Sequence, residues 1–209
     1  MQGGSRKGVP AVTSSQKIEI PGYDFGSHGI AESPVSPEEL RQLEQTLGWT
    51  ADDEDVLRKH AALFAAKSED LVDSWRSVIA TQPHLAKWFV APDGKPDEEY
   101  KARVRRRFVQ WVIDAVTRPH DRHWLDYQEE IGLRHTPAKK NRTDCRSTPP
   151  VVPLRYLLAF IPVVADIGRF FRSELTEPQE LEVLLRAWEK SVFLHVLLWA
   201  RAYTAEGLW

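Results

Sequence analysis

Between Ser36 and about Tyr203, apolar residues return every three, four or seven positions, which is the period of a helix and not of a strand. Ser36-Pro37-Glu38-Glu39 is a capping box with proline in the first turn, and it predicts a helix through about Leu47. A second helix is expected from Thr50–Asp53. Leu63, Phe64, Leu71, Trp75, Val78 and Ile79 carry it on as one element until just before Pro83. His84–Phe89 reads as a short helical turn and Ala91-Pro92-Asp93-Gly94 as a loop. A third long helix spans about Pro96–Thr117, with Tyr100, Val104, Phe108, Val112 and Ala115 as its buried stripe and Trp111 beside it. Later come an apolar helix from about Val152 to Arg172, kinked at Pro162, and a last helix to about Tyr203, opened by a second capping box at Thr176–Gln179. No Asn-Gly or Asp-Gly turn joins alternating runs, and no fixed-period repeat occurs. The predicted fold class is all-α.

With 209 residues, the chain suits one domain with a sizeable core. Residues 1–17, rich in Gly, Ser and Lys, are expected to be a disordered tail before a domain at 18–209. Ile18–Gly26 differs. Its aliphatics and the aromatic pair Tyr23 and Phe25, punctuated by Pro21, Gly22 and Gly26, predict an ordered irregular segment laid over an apolar surface. A formal charge of −2 gives no pull toward nucleic acid or an anionic membrane. No apolar run is long enough to span a bilayer and the first residues lack a secretory h-region, so the expected location is cytoplasmic. The single Cys145 makes no internal disulfide, and GxSxG, HExxH, P-loop and EF-hand patterns are all missing.

What chemistry remains centres on WLDYQEEIGLRHTPAKKN, residues 124–141. Tyr127, Ile131 and His135 fall in one helical line, and Thr136-Pro137 breaks the helix just beyond. His135 thus ends an amphipathic helix on its apolar side, where a neutral imidazole either ligates a metal or is satisfied by hydrogen bonds in the core. The residues alone leave both readings open. His195 lies in an apolar helix and reads as a core or subunit-contact histidine; His60, His84, His120 and His123 receive no role. Asp52–Asp55 reads as helix-start chemistry, and Arg105–Arg107, pointing three ways, as a solvated face. Lys139–Arg142 is an anion candidate set against the plainer expectation of an exposed loop. Eight tryptophans suggest an aromatic core or a large flat cavity, and a planar apolar ligand would suit walls from Trp75, Phe108, Phe160 and Val164.

IPGYDFG, DSWRSVI, QPHLAKWF with APDGKP, VRRRFVQWVID, WLDYQEEIGLRH with KKN, LRYLLAFI and RAWEKSVFLHVLLW together resemble protoglobin, a single-domain relative of the globin-coupled sensors, over about residues 18–209. The resemblance implies a globin fold, a 3-over-3 helical sandwich, expanded by an N-terminal loop and an extra N-terminal helix. It implies haem b (iron protoporphyrin IX) with His135 as the proximal iron ligand. Trp75 and Phe108 match the family's distal aromatics, with Arg76 and Trp111 beside them. Phe160 and Val164 match the long pocket-lining helix, and Tyr23 lies in the loop that covers the haem edge and propionates. Family members bind O2, CO and NO and pair as homodimers through their last two long helices. Where familiar members carry tyrosine after the distal tryptophan, this chain has Arg76. An unpaired buried cation is costly, so Arg76 is expected to face solvent or a propionate and not the iron. Ala86 and Pro162 also depart from the family's pattern.

The leading expectation is a haem protein that binds diatomic gases reversibly. Two alternatives stand beside it: a haem enzyme acting on peroxide, nitrite, NO or carbene donors, and a gas-sensor module signalling to a separate partner. The chain has no distal histidine paired with a carboxylate, the arrangement that would mark dedicated peroxidase work.

Overall fold

A computed structural model describes residues 19–205 and 207–209, so the expected tail at 1–17 and Ile18 lie outside the described residues. Among the described residues there is no β-strand, only an antiparallel bridge between Val90 and Pro96. The helices are α1 (Pro37–Leu47), α2 (Ala51–Lys59), α3 (Ala61–Thr81), the single turn α4 (Pro83–Ala86), α5 (Glu98–Thr117), α6 (Arg122–Leu133), α7 (Leu154–Ala165), the single turn α8 (Gly168–Phe171) and α9 (Pro178–Ala200). Short 3-10 turns follow α4 and α9, at Lys87–Phe89 and Arg201–Tyr203.

The Ser36 box forms as expected: Ser36 accepts from the Glu39 amide, and the Glu39 carboxylate accepts from the Ser36 amide at 2.7 Å. The expected single helix from Thr50 to Thr81 is instead two. His60 is their corner, with φ −98° and ψ 9°. Its Nδ1–H donates back to the Val56 carbonyl at 2.8 Å, while its own carbonyl starts α3 by accepting from Leu63 and Phe64. An apolar stripe runs through such a corner without interruption, which is why periodicity alone joined the two. The second expected capping box does not form. Glu177, not Thr176, is the N-cap of α9, and Glu180 in its first turn is held by Lys59 and His60 of the α2 end. The apolar helix expected to reach Arg172 stops at Ala165. Pro162 already removes one internal hydrogen bond there, and the Val164 carbonyl instead accepts from the Trp188 indole at 3.0 Å.

The longest element, α9, runs through the middle of the molecule. It packs on α2, α6 and α7, while α3 lies against α5. Ten of its residues are buried, among them Leu184, Trp188, Val192, His195 and Trp199. Burying each large apolar side chain stabilises the fold by roughly 1.5–3 kcal/mol, so α9 dominates the core. At the α6–α9 crossing, a Cβ on Gly132 would lie 3.0 Å from the Trp199 carbonyl oxygen. Glycine there lets the two backbones meet.

The segment 19–26 is irregular, and several long-range bonds hold it down. Arg107 Nη1 donates to the Pro21 carbonyl at 2.8 Å. Arg134 donates to the Gly22 carbonyl at 2.5 Å and to Asp24 at 2.6 Å. Gly22 has φ +73°, and a Cβ on it would lie 2.7 Å from Arg107 Nη1, so both backbone and space require glycine.

Candidate functional site

A cavity of about 690 Å³ lies between α3, the 83–90 segment, α5, the end of α6, α7 and α9. Its lining is mostly apolar and aromatic and includes Trp88, Tyr100, Phe108, Trp111, Phe160 and Trp199. A cavity of this size and character is typical of sites for cofactors and drug-sized ligands.

His135 sits in the turn just after α6 and lines this cavity. Its Nδ1 is 2.8 Å from the Ile131 carbonyl oxygen, which can only accept, so Nδ1 carries the proton and Nε2 is the free base. Nε2 has no hydrogen-bond partner among the described residues. Burial, with help from the charges on Lys140 and Arg134, pushes the imidazole down to about 4, so it stays neutral at physiological pH. Its backbone is fixed too: the His135 carbonyl accepts from the Val152 amide at 2.9 Å and from the Tyr203 hydroxyl at 3.3 Å. The ring stacks on Trp199, with centroids 5.8 Å apart. A neutral imidazole held this way, one nitrogen occupied and the other free beside an apolar cavity, has the free lone pair that metal ligation requires.

Arg76, Phe108, Trp111, Phe160 and Val164 line the same cavity, as does Ala86. Trp75 and Tyr23 do not. Trp75 is buried one layer back, 5.3 Å from the Phe108 ring and stacked on Trp188. Tyr23 is drawn away by a buried carboxylate: its hydroxyl donates to Asp114 at 2.7 Å, and it reaches the cavity only through Tyr127, on which it packs edge-on. Arg76 faces neither solvent freely nor an acidic partner. One of its terminal nitrogens, Nη1, is buried with no hydrogen-bond partner. The nearest acidic residue on its own helix, Asp73, has both oxygens taken by Arg105 of α5, at 2.6 and 2.8 Å.

The polar end of the cavity belongs largely to residues that local pattern placed on a solvated face or in a loop. Lys139–Arg142 is only partly an exposed loop: Arg142 is exposed, but Lys140 is buried. Lys140, only 3% exposed, donates to the Trp88 carbonyl at 2.9 Å and to Thr148 Oγ1 at 2.7 Å. Burial lowers its ammonium to about 8. Nor is the arginine run a solvated face throughout: Arg105 pairs with Asp73 and Glu69, and Arg107 grips Asp144 bidentately at 2.9 and 2.6 Å. Arg134 is bonded to Glu130 and Asp24. The KKN motif was the signal for Lys140; Arg107 and Arg134 lie within the VRRRFVQWVID and GLRH motifs, but nothing in the sequence named their partners.

An all-helical chain enclosing this cavity has the architecture of a globin. It is similar in structure to the globin domain of the Geobacter sulfurreducens globin-coupled sensor, with a TM-score of 0.62 at 15% sequence identity, covering 79% of this chain and 97% of that one. That likeness shows the globin fold. The chain matches the family model Protoglobin over residues 36–209, and it belongs to that family. No curated protein matches it in sequence. Membership in a globin family implies a haem cofactor and a role in binding or sensing diatomic gas such as O2.

Proposed function

We propose that the cavity holds haem b with His135 Nε2 as the proximal ligand, and that the protein binds O2, CO and NO reversibly there. The observation that carries this reading is the His135 tautomer: Nδ1–H is committed to the Ile131 carbonyl and Nε2 is left as a base beside a flat-walled apolar space. The residues present fit the group in size, polarity and donor type, and the unpartnered Nη1 of Arg76 and Nε1 of Trp88 are donors left free for a guest or ordered water. When bound, haem supplies an iron with a coordination position open to a diatomic ligand.

The chain's own residues then do the rest. Ile131 and Trp199 fix the imidazole's orientation, and Tyr203 with Val152 fixes its backbone, so the ring has little freedom to lose on coordination. Phe108, Trp111, Phe160 and Val164 give the cavity apolar walls. Arg107 and Arg134 hold the 19–26 strap beside it. Leu158 of α7 with Val183, Phe193 and Leu197 of α9 are large apolar residues left exposed, which supports pairing of two copies through these helices. We read the strap and α1 as additions to the globin core.

Optical spectra of the ferric, ferrous and carbonyl forms test the reading. The account expects a Soret band and a carbonyl spectrum typical of histidine ligation, altered in His135→Ala. Identical spectra for the two proteins would remove the assignment.

A further inference from the structure

Seven ionisable cationic or imidazole groups reach the cavity, and all but one are engaged. Lys101 pairs with Glu98, Arg105 with Asp73 and Glu69, Arg107 with Asp144, and Arg134 with Glu130 and Asp24. Lys140 donates to two neutral oxygens, and His135 is uncharged. Arg76 alone makes no hydrogen bond to any acceptor among the described residues, although it lies on the cavity wall and its Nη1 is buried.

The neighbouring pairs explain why. Asp73 would be an i, i+3 partner on α3, but Arg105 reaches over from α5 and occupies both of its oxygens. Asp144, the other carboxylate on the cavity wall, is likewise occupied by Arg107. Asp73 and Glu98 attract the Arg76 charge at a distance, but neither makes a hydrogen bond with it. A guanidinium keeps its charge even where burial opposes it, and a buried donor without an acceptor costs its desolvation in full. Arg76 lines the cavity with a guanidinium that no acceptor among the described residues bonds, and an acceptor delivered from outside the chain would satisfy it.

We propose that Arg76 makes the cavity a site for a small two-oxygen anion of the nitrite or carboxylate type. The planar fork of the guanidinium matches two oxygens on one atom, and charge-assisted pairing of this kind is about twice as strong as a neutral hydrogen bond. The anion has two possible sources, a free ligand entering the cavity or a carboxylate borne by the haem itself. The inference deepens the haem reading above and rests on it for its main readout.

The test has two arms, each run on haem-loaded wild type, Arg76→Leu and Arg76→Lys. In the first, ferric protein is titrated optically with nitrite and with formate, and ferrous protein with CO as the neutral control. A free anion at Arg76 predicts affinity for nitrite and formate weakened about tenfold or more in Arg76→Leu and less in Arg76→Lys, a loss clearly larger than any change in CO affinity. In the second arm, release of native haem to an acceptor protein is compared with release of its dimethyl ester. A haem carboxylate at Arg76 predicts release of native haem about tenfold faster in Arg76→Leu, with the ester unaffected. Either pattern supports the site and names the source. Unchanged behaviour in both arms overturns it, and so does equal loss of nitrite and CO affinity, which marks a general disturbance of the pocket. Failure of the wild type to take up haem would contradict the haem reading instead. The anion site is then judged by whether formate raises the melting temperature of wild type but not of Arg76→Leu; no difference between them overturns it.

Discussion

Asp144→Asn is expected to be among the most damaging conservative changes in this chain. Asp144 is 4% exposed and meets both terminal nitrogens of Arg107 at 2.9 and 2.6 Å; Arg107 Nη1 in turn carries the Pro21 carbonyl of the strap. The variant keeps the shape but leaves the Arg107 charge buried without its counter-ion, a loss of about 3–5 kcal/mol. For a chain of this length each kcal/mol shifts Tm by about 2–4 °C, so the expected fall is about 6–20 °C. Urea unfolding followed by tryptophan fluorescence should show a lower midpoint with an unchanged slope. The double variant Asp144→Leu/Arg107→Met removes both charges and should recover most of the loss, because a buried pair is costly to break but not to replace. A fall below about 1 kcal/mol for Asp144→Asn, or a double variant no better than the single, would refute the argument.

Other expectations follow from the same geometry. His195 is buried with Nδ1–H donating to the Ser191 carbonyl at 2.7 Å, and burial, the leading cause, pushes it down to about 3. Between the ordinary histidine value of about 6.5 and about 3, only the unfolded chain binds this proton, so stability falls as pH falls through that window, by up to about 1.4 kcal/mol per pH unit. In His195→Phe the slope of unfolding free energy against pH between 6 and 4 should be shallower by up to that amount; an identical slope counts against the buried-neutral assignment. Gly22→Ala adds a Cβ at positive φ against Arg107 and should destabilise by about 1–2 kcal/mol. Limited proteolysis should then cut faster within 19–26, and an unaltered cutting rate would contradict the clamp. Gly132→Ala should separate α6 from α9 by a few tenths of an ångström and weaken haem retention more than it lowers Tm, since His135 lies three residues on. Equal retention in the two proteins would show that the crossing does not position the ring.

The helices were legible because periodicity and caps are local. Ser36 with Glu39, the stripe of α5 and the line Tyr127–Ile131–His135 all act within a few residues of one another. The corner at His60 was hidden because a stripe continues smoothly across it, and the end of α7 because Pro162 signals a weak point without saying whether the helix resumes. His135 could be placed at a helix end on its apolar side, but its tautomer needed the distance to Ile131. Arg107 and Lys140 were read as surface or loop cations, and Arg134 was given no role, because their partners, Pro21, Asp144, Gly22, Asp24, Trp88 and Thr148, are brought in by tertiary structure. Arg76 was expected to face solvent or a haem propionate; that Arg105 takes the hydrogen bonds of Asp73, leaving Arg76 without one, needed the tertiary structure.

A crystal structure of the haem-loaded protein tests the central claim most directly. The account predicts continuous density from His135 Nε2 to the iron, with Nδ1 still donating to the Ile131 carbonyl. Iron held by any other side chain, or a haem bound outside this cavity, would contradict it.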